Sequence, residues 1–158
     1  MDWTAVPAPI GALGVASDGT GICAVRFEGP GGRTGATDPL LDRAAEQLAA
    51  YFAGDRSDFE LPLSVSGGST FERAVWAEIA AIPYGEMITY GEIATAVGDR
   101  TAARAVGIAC NHNPLPILVP CHRVVGAGGK MVGFGGGLHR KRFLLELEAR
   151  VRIEHSFG

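Results

Sequence analysis

The chain has 158 residues, 47% of them apolar and 20% charged, which is enough to bury a core and too hydrophobic for disorder. No apolar run approaches the roughly 20 residues of a membrane span, and the opening MDWTAVPAPIGAL lacks the basic-then-apolar order of a secretory signal, so a cytoplasmic protein with no membrane partner is expected. The net charge of −3 argues against a strong polyelectrolyte grip, yet residues 1–70 hold four Arg against nine acids while residues 71–158 hold ten Lys and Arg against eight. A DNA partner for the second half therefore stays open.

In chain order, ALGVAS and ICAVRFE are β-branched runs around an Asp-Gly turn signal, which predicts a hairpin. DPLLDRAAEQLAAYFAG predicts a helix marked at both ends, with Asp38 as N-cap, Pro39 at the first helical position and Gly54 just past the end. FELPLSV predicts a strand that Pro62 pushes to a sheet edge. SGGS, residues 66–69, has linker composition. Beyond it, Ser69 with Glu72 and Thr89 with Glu92 are two capping-box patterns; the first opens a helix with Phe71, Val75, Ile79 and Ile82 on one face. Gly98 ends the second, and TAARAVGIACNHN supplies a further helix of small residues from which Arg104 projects. Helix, glycine turn and helix outline a helix-turn-helix, a pattern shared with many helical hairpins that never meet DNA.

Three cysteines, 23, 110 and 121, form no disulfide framework and suit a reducing compartment. Cys121 stands out because Pro120 restricts the chain before it and His122 follows it. A nucleophilic thiol needs some thiolate, a proton acceptor within reach and a fixed backbone. Adjacent side chains on a strand point to opposite faces, so the pair can cooperate only if the chain turns or a water bridges them. Seven glycines follow between 126 and 137, a density that lets backbone approach a flat ligand; Met131, Val132 and Phe134 punctuate it as pocket wall. There is no phosphate-loop fingerprint, and no CxxC or HxxxH spacing for zinc.

IPYGEMITYGEIATAVG, AARAVGIACNHN, NPLPILVPCHRVVGAGGK and GGLHRKRFLLELE, taken in order, closely resemble the O6-alkylguanine-DNA alkyltransferases across residues 69–149. The first 65 residues resemble that family in length and element order. The resemblance implies an α/β domain of ribonuclease-H-like type over residues 1–65 and a linker at 66–70. A helical domain over 71–155 would follow, with a winged-helix-like helix-turn-helix and the active-site loop.

It further implies DNA repair by base flipping and irreversible, stoichiometric alkyl transfer to Cys121. In that frame His122 deprotonates the thiol through a water, and Glu148 orients the imidazole and raises its basicity. Asn113 is the hinge, and Tyr90 rotates a phosphate and donates to guanine N3. Arg104 fills the gap left by the flipped base, and Ala103 and Gly107 fit the minor groove. The carbonyls of Cys121 and Val124 and the N–H of Gly135 would hold the base beside Phe134. Many members carry Tyr where Phe134 stands, and some carry Ser or Ala at Gly135. Backbone donation survives both changes, and Gly135 leaves room for alkyl groups larger than methyl.

No metal or cofactor is expected, since Cys23 lacks His or Cys companions. The partner would be double-stranded DNA carrying O6-alkylguanine, met by a monomer; clustering on DNA and action on O4-alkylthymine stay open. The rival readings are a non-catalytic sensor of alkylated DNA, a group that lacks the acceptor cysteine, a thiol hydrolase that would turn over, and a plain helix-turn-helix regulator.

Overall fold

The structure, a computed structural model, describes residues 1–157. It divides into two compact units, Met1–Ser66 and Gly67–Gly158. In the first, strands β1 (Asp2–Val6), β2 (Leu13–Ser17) and β3 (Ile22–Arg26) form an antiparallel sheet in the order β1-β2-β3. The expected hairpin is β2–β3, in which Val15 faces Val25. β2 is the central strand and every residue in it is buried. Helix α1 (Pro39–Phe52) packs on this sheet with Leu41, Ala44, Leu48 and Tyr51 buried, a spacing of three and four that lines one helical face. Asp38 caps it by accepting from Leu40 N at 2.9 Å, and Gly54 closes it in the left-handed region at φ +80°.

One strand is added here and one expectation corrected. β1 was not foreseen, because five residues followed by Pro7 and Pro9 carry too short a pattern. The segment FELPLSV is no strand: only a single bridge forms, Ile22 with Leu63, closed by Ile22 N to Pro62 O and Ser64 N to Ile22 O, both 2.8 Å. Pro62 has no N–H with which to extend the ladder.

The second unit is helical: α2 (Thr70–Ala80), α3 (Tyr90–Ala96), α4 (Ala103–Asn111) and α5 (Leu138–Phe157). A two-residue parallel pair, β4 (Ile88–Thr89) with β5 (Val124–Val125), joins the start of α3 to the segment behind Cys121. Both capping boxes are formed, at Ser69–Glu72 and at Thr89–Glu92. Gly98, at φ +92°, makes the turn between α3 and α4 that a side chain would strain. Val75 and Ile79 are buried as the pattern required. So is Trp76, unnoticed in the sequence, whose indole N–H donates to Ala109 O at 2.8 Å and fastens α2 to α4.

Thr89 caps the helix that begins with Tyr90, so its hydroxyl positions the site as well as the fold. Thr89→Ala should cost about 1 kcal/mol of unfolding free energy and Thr89→Ser should recover most of it, both read from urea denaturation midpoints.

Candidate active site

The segment 113–125 is fixed before it reaches the cysteine. Asn113 follows α4 and bonds the chain on both sides: Nδ2 donates to Val119 O at 2.8 Å, and Oδ1 accepts from Leu115 N at 2.9 Å. Ile117, buried, sits at φ +75°, a conformation a β-branched residue adopts only when its surroundings dictate it. The chain then turns, as cooperation between Cys121 and His122 requires. Cys121 N bonds Val119 O at 2.8 Å, and Cys121–Arg123 form one turn of 3₁₀ helix instead of a strand. Cys121 is 5% exposed and His122 fully buried.

Glu148 on α5 gathers this turn. Its carboxylate accepts from His122 Nε2 at 2.7 Å, from Arg123 Nε and Nη2 at 2.8 and 3.0 Å, and from Gly85 N at 3.1 Å. Arg123 also donates to Ile82 O at 2.7 Å and lies over the Tyr84 ring. With Nε2–H donating to the carboxylate, the imidazole presents a lone pair at Nδ1, a buried atom with no protein hydrogen-bond partner among the described residues.

The charges refine one expectation. Burial alone would raise the Glu148 carboxyl, but the bonds from His122 and Arg123 outweigh it and hold the group well below the usual carboxylate range. Burial pushes the His122 imidazole down despite Glu148, and Arg123 and Lys141 push it the same way. Burial likewise pushes the Cys121 thiol up, against the amide of Asn113 and the ammonium of Lys141. Glu148 does raise the basicity of the imidazole, but burial outweighs it, so the carboxylate does not precharge the ring. The resting pair is a neutral thiol beside a neutral imidazole.

Around the sulfur, Tyr90 Oη lies 3.0 and 3.2 Å from the carbonyls of Val132 and Gly133, at the start of the glycine segment. Burial, and then the charges of Cys110 and Cys121, raise its pKa to about 12, so it remains a proton donor at neutral pH. Gly107 on α4 faces this ring: a Cβ there would lie 3.9 Å from Tyr90 Cε1. On the same helix Ala103 is half-buried, and Arg104 is exposed with no hydrogen bond or ion pair among the described residues. Phe134 is half-buried and Gly135 exposed, its Cα region close to Asn111 Oδ1. Val132, expected as wall, is 46% exposed. The Val124 carbonyl already accepts from Lys141 Nζ at 2.6 Å.

Three site residues escaped the sequence: Arg123, Lys141 and Cys110, whose buried thiol is raised to about 12. The available signal was spacing, since Lys141, Leu144, Glu148 and Val151 recur at three and four on α5 and all prove buried. Among the described residues no group of three or more His, Cys, Asp or Glu could hold a metal, and no helix is long and apolar enough to cross a membrane.

Comparison with known proteins covers the whole of this geometry. A family model described as the DNA-binding domain of 6-O-methylguanine DNA methyltransferase matches residues 70–150, and one described as its ribonuclease-like domain matches residues 1–65. A methylated-DNA–protein-cysteine methyltransferase of Mycolicibacterium paratuberculosis is 46% identical over 155 residues, covering 95% of this chain and 93% of that one. Its namesake in Methanosarcina acetivorans is 42% identical, covering 94% and 98%. Among solved structures, Mycobacterium tuberculosis OGT in complex with DNA superposes with a TM-score of 0.87 at 43% identity, covering 96% of this chain and 94% of that one.

His122 and Glu148, the buried groups that bear on the range from pH 4 to pH 8, both bind protons more weakly folded than unfolded. The unfolded chain therefore takes up more protons on acidification, and stability rises with pH. Stability should be full above the ordinary histidine range, fall as pH drops through about 6.5 because of His122, and fall further below about 4.5 because of Glu148. Urea midpoints measured from pH 8 to pH 4 check this, and a flat profile would contradict the neutral buried imidazole.

Proposed function

The chain belongs to the 6-O-methylguanine DNA methyltransferase family, and from that premise we infer that it repairs DNA by drawing the alkyl group of O6-alkylguanine onto its own Cys121. The observation that carries the choice of residue is the bond between His122 Nε2 and Glu148. One ring nitrogen is spent on Glu148, leaving a buried basic nitrogen one residue from a buried thiol.

The chemistry is an in-line displacement. His122 Nδ1 takes the thiol proton through a water, and the sulfur attacks the alkyl carbon. A carbon–sulfur bond forms as the bond from that carbon to O6 breaks. The electrons return to the guanine ring, and Tyr90, protonated at neutral pH, supplies a proton at N3. The proton taken up by His122 passes through water to restore the phenol, so the thiol proton ends on guanine. The thioether is not reversed, so each molecule acts once. No cofactor takes part, because the alkylated DNA is the second reactant.

The base must leave the duplex to reach so buried a sulfur. Arg104, exposed and unengaged on α4, would occupy the vacated stack, with Ala103 and Gly107 allowing close approach in the minor groove. Within the pocket, Gly135 N–H would meet O6 beside Phe134, and the carbonyls of Cys121 and Val124 would meet the exocyclic amine. The Val124 carbonyl would use its second lone pair, since Lys141 holds the first. Asn113 would hold the segment in place. We also propose a monomer acting in the cytoplasm, where an acceptor thiol is kept reduced.

Exposure to duplex DNA carrying O6-methylguanine should add one methyl mass to the Cys121 peptide, never exceeding one equivalent. Turnover, or methyl elsewhere, overturns the assignment. Arg104→Ala should slow duplex repair by roughly tenfold, the value of a filled stacking gap, while reaction with free O6-benzylguanine stays near wild type. Equal losses would mean that Arg104 serves the fold.

A further inference from the structure

Lys141 is fully buried on the first turns of α5. Its ammonium donates to Val124 O at 2.6 Å and to Val132 O at 3.3 Å, and lies 3.5 Å from Tyr90 Oη. Three N–H donors thus face three acceptors, which is the arrangement of a protonated amine. Among the described residues no carboxylate forms an ion pair with it. A buried, unpaired cation costs several kcal/mol, and burial accordingly pulls the lysine below its ordinary value. Dipoles from two carbonyls and a phenol offset only part of that cost. Clamping the glycine segment to Tyr90 could be done by a neutral donor. The Tyr90 and Phe134 rings lie 5.6 and 6.0 Å from the ammonium, but among the described residues the charge has no resting anion.

The acceptor reaction supplies one. We propose that Lys141 is the counter-charge of the Cys121 thiolate, a positioning residue that makes the anion formed in the reaction affordable inside a closed site. The inference rests on Cys121 being the acceptor. Moving a proton from Cys121 to His122 creates two buried charges. Glu148, backed by Arg123, faces the imidazolium. Lys141 is held on the carbonyl of Val124, whose own N–H bonds Cys121 O, so its charge stands at the turn that carries the sulfur and draws the thiol down against burial. The other ionisable groups around the sulfur are Tyr90 from α3 and Cys110 from α4, both held neutral, and neither can play this part. Once the alkyl carbon is bonded to sulfur the thioether is neutral, and Lys141 is again without an anionic partner.

The test reads thiol acidity separately from repair. Lys141→Met keeps the stem and removes the charge; Lys141→Arg keeps the charge. The rate of Cys121 carbamidomethylation by iodoacetamide, located by mass spectrometry, and the rate of transfer from free O6-benzylguanine are followed from pH 6 to pH 10. Both profiles should move up by about one pH unit in Lys141→Met, a roughly tenfold loss at pH 7 that closes at high pH. Lys141→Arg should stay near wild type. A loss in Lys141→Met that is uniform across pH, with an unmoved midpoint, means that Lys141 only clamps the loop and overturns the proposal. Should the Met variant not fold, the wild-type protein still decides. The titration midpoint of the Lys141 ammonium, followed by NMR, should fall after Cys121 is alkylated, and an unchanged midpoint overturns the proposal. Failure of the wild type to alkylate Cys121 at all would instead sink the functional reading, whatever the iodoacetamide profile.

Discussion

One carboxylate holds the reactive segment to the rest of its unit. Glu148 is buried on α5, and a lone ionised carboxylate there would cost several kcal/mol. It is tolerated because His122, both donors of the Arg123 fork and the Gly85 amide converge on it. Those bonds tie three places far apart in sequence: the turn at Gly85, the 3₁₀ turn at Cys121–Arg123 and the middle of α5. Removing any one partner would leave charge uncompensated in a dry interior. The position of the sulfur is therefore an electrostatic consequence as much as a packing one.

Burial sets the resting chemistry. Glu148 raises the basicity of the imidazole, but taking the ring wholly out of water costs its charged form more, and the thiol is held back in the same way. Both His122 and Cys121 therefore stay neutral. For a protein that spends its thiol once, this is a coherent arrangement. A buried neutral thiol is a poor target for stray oxidants and electrophiles, whereas a standing thiolate would be consumed without a substrate. Reactivity is created within the site when a proton is moved, and the charges needed to stabilise that movement are already in place.

What the sequence disclosed follows from the range of the interactions involved. Caps are local, so Asp38, Ser69 with Glu72, and Thr89 with Glu92 could be read from four-residue patterns, and the helices they start are where those patterns put them. The Cys-His adjacency was visible, but its geometry was not, because whether 121–123 is strand or turn depends on Asn113, Ile117 and Val119 acting together. Glu148 lies 26 residues from His122 and looks like any acid on a charged helix; only resemblance to a family singled it out. Lys141 and Arg123 were not singled out, because nothing local to either residue says that its charge faces inward. FELPLSV misled in the opposite sense, since its composition suits a strand but Pro62 leaves a single bridge.

The two walls around the sulfur are specified by opposite means, and the difference bears on how a base could enter. On the cysteine side the backbone is over-determined: Asn113 bonds both flanks, and Ile117 is held at a φ it would not choose, at a cost of order 1–3 kcal/mol. Such a wall does not adjust. On the facing side, the glycine segment has little side-chain packing, and its start is held by polar contacts from Tyr90 and Lys141 to the Val132 and Gly133 carbonyls. These are bonds that a purine edge can exchange for its own without unpacking a core. On the proposed reading, admission of a flat polar ligand would exchange hydrogen bonds on one side, while the nucleophile on the other keeps its place.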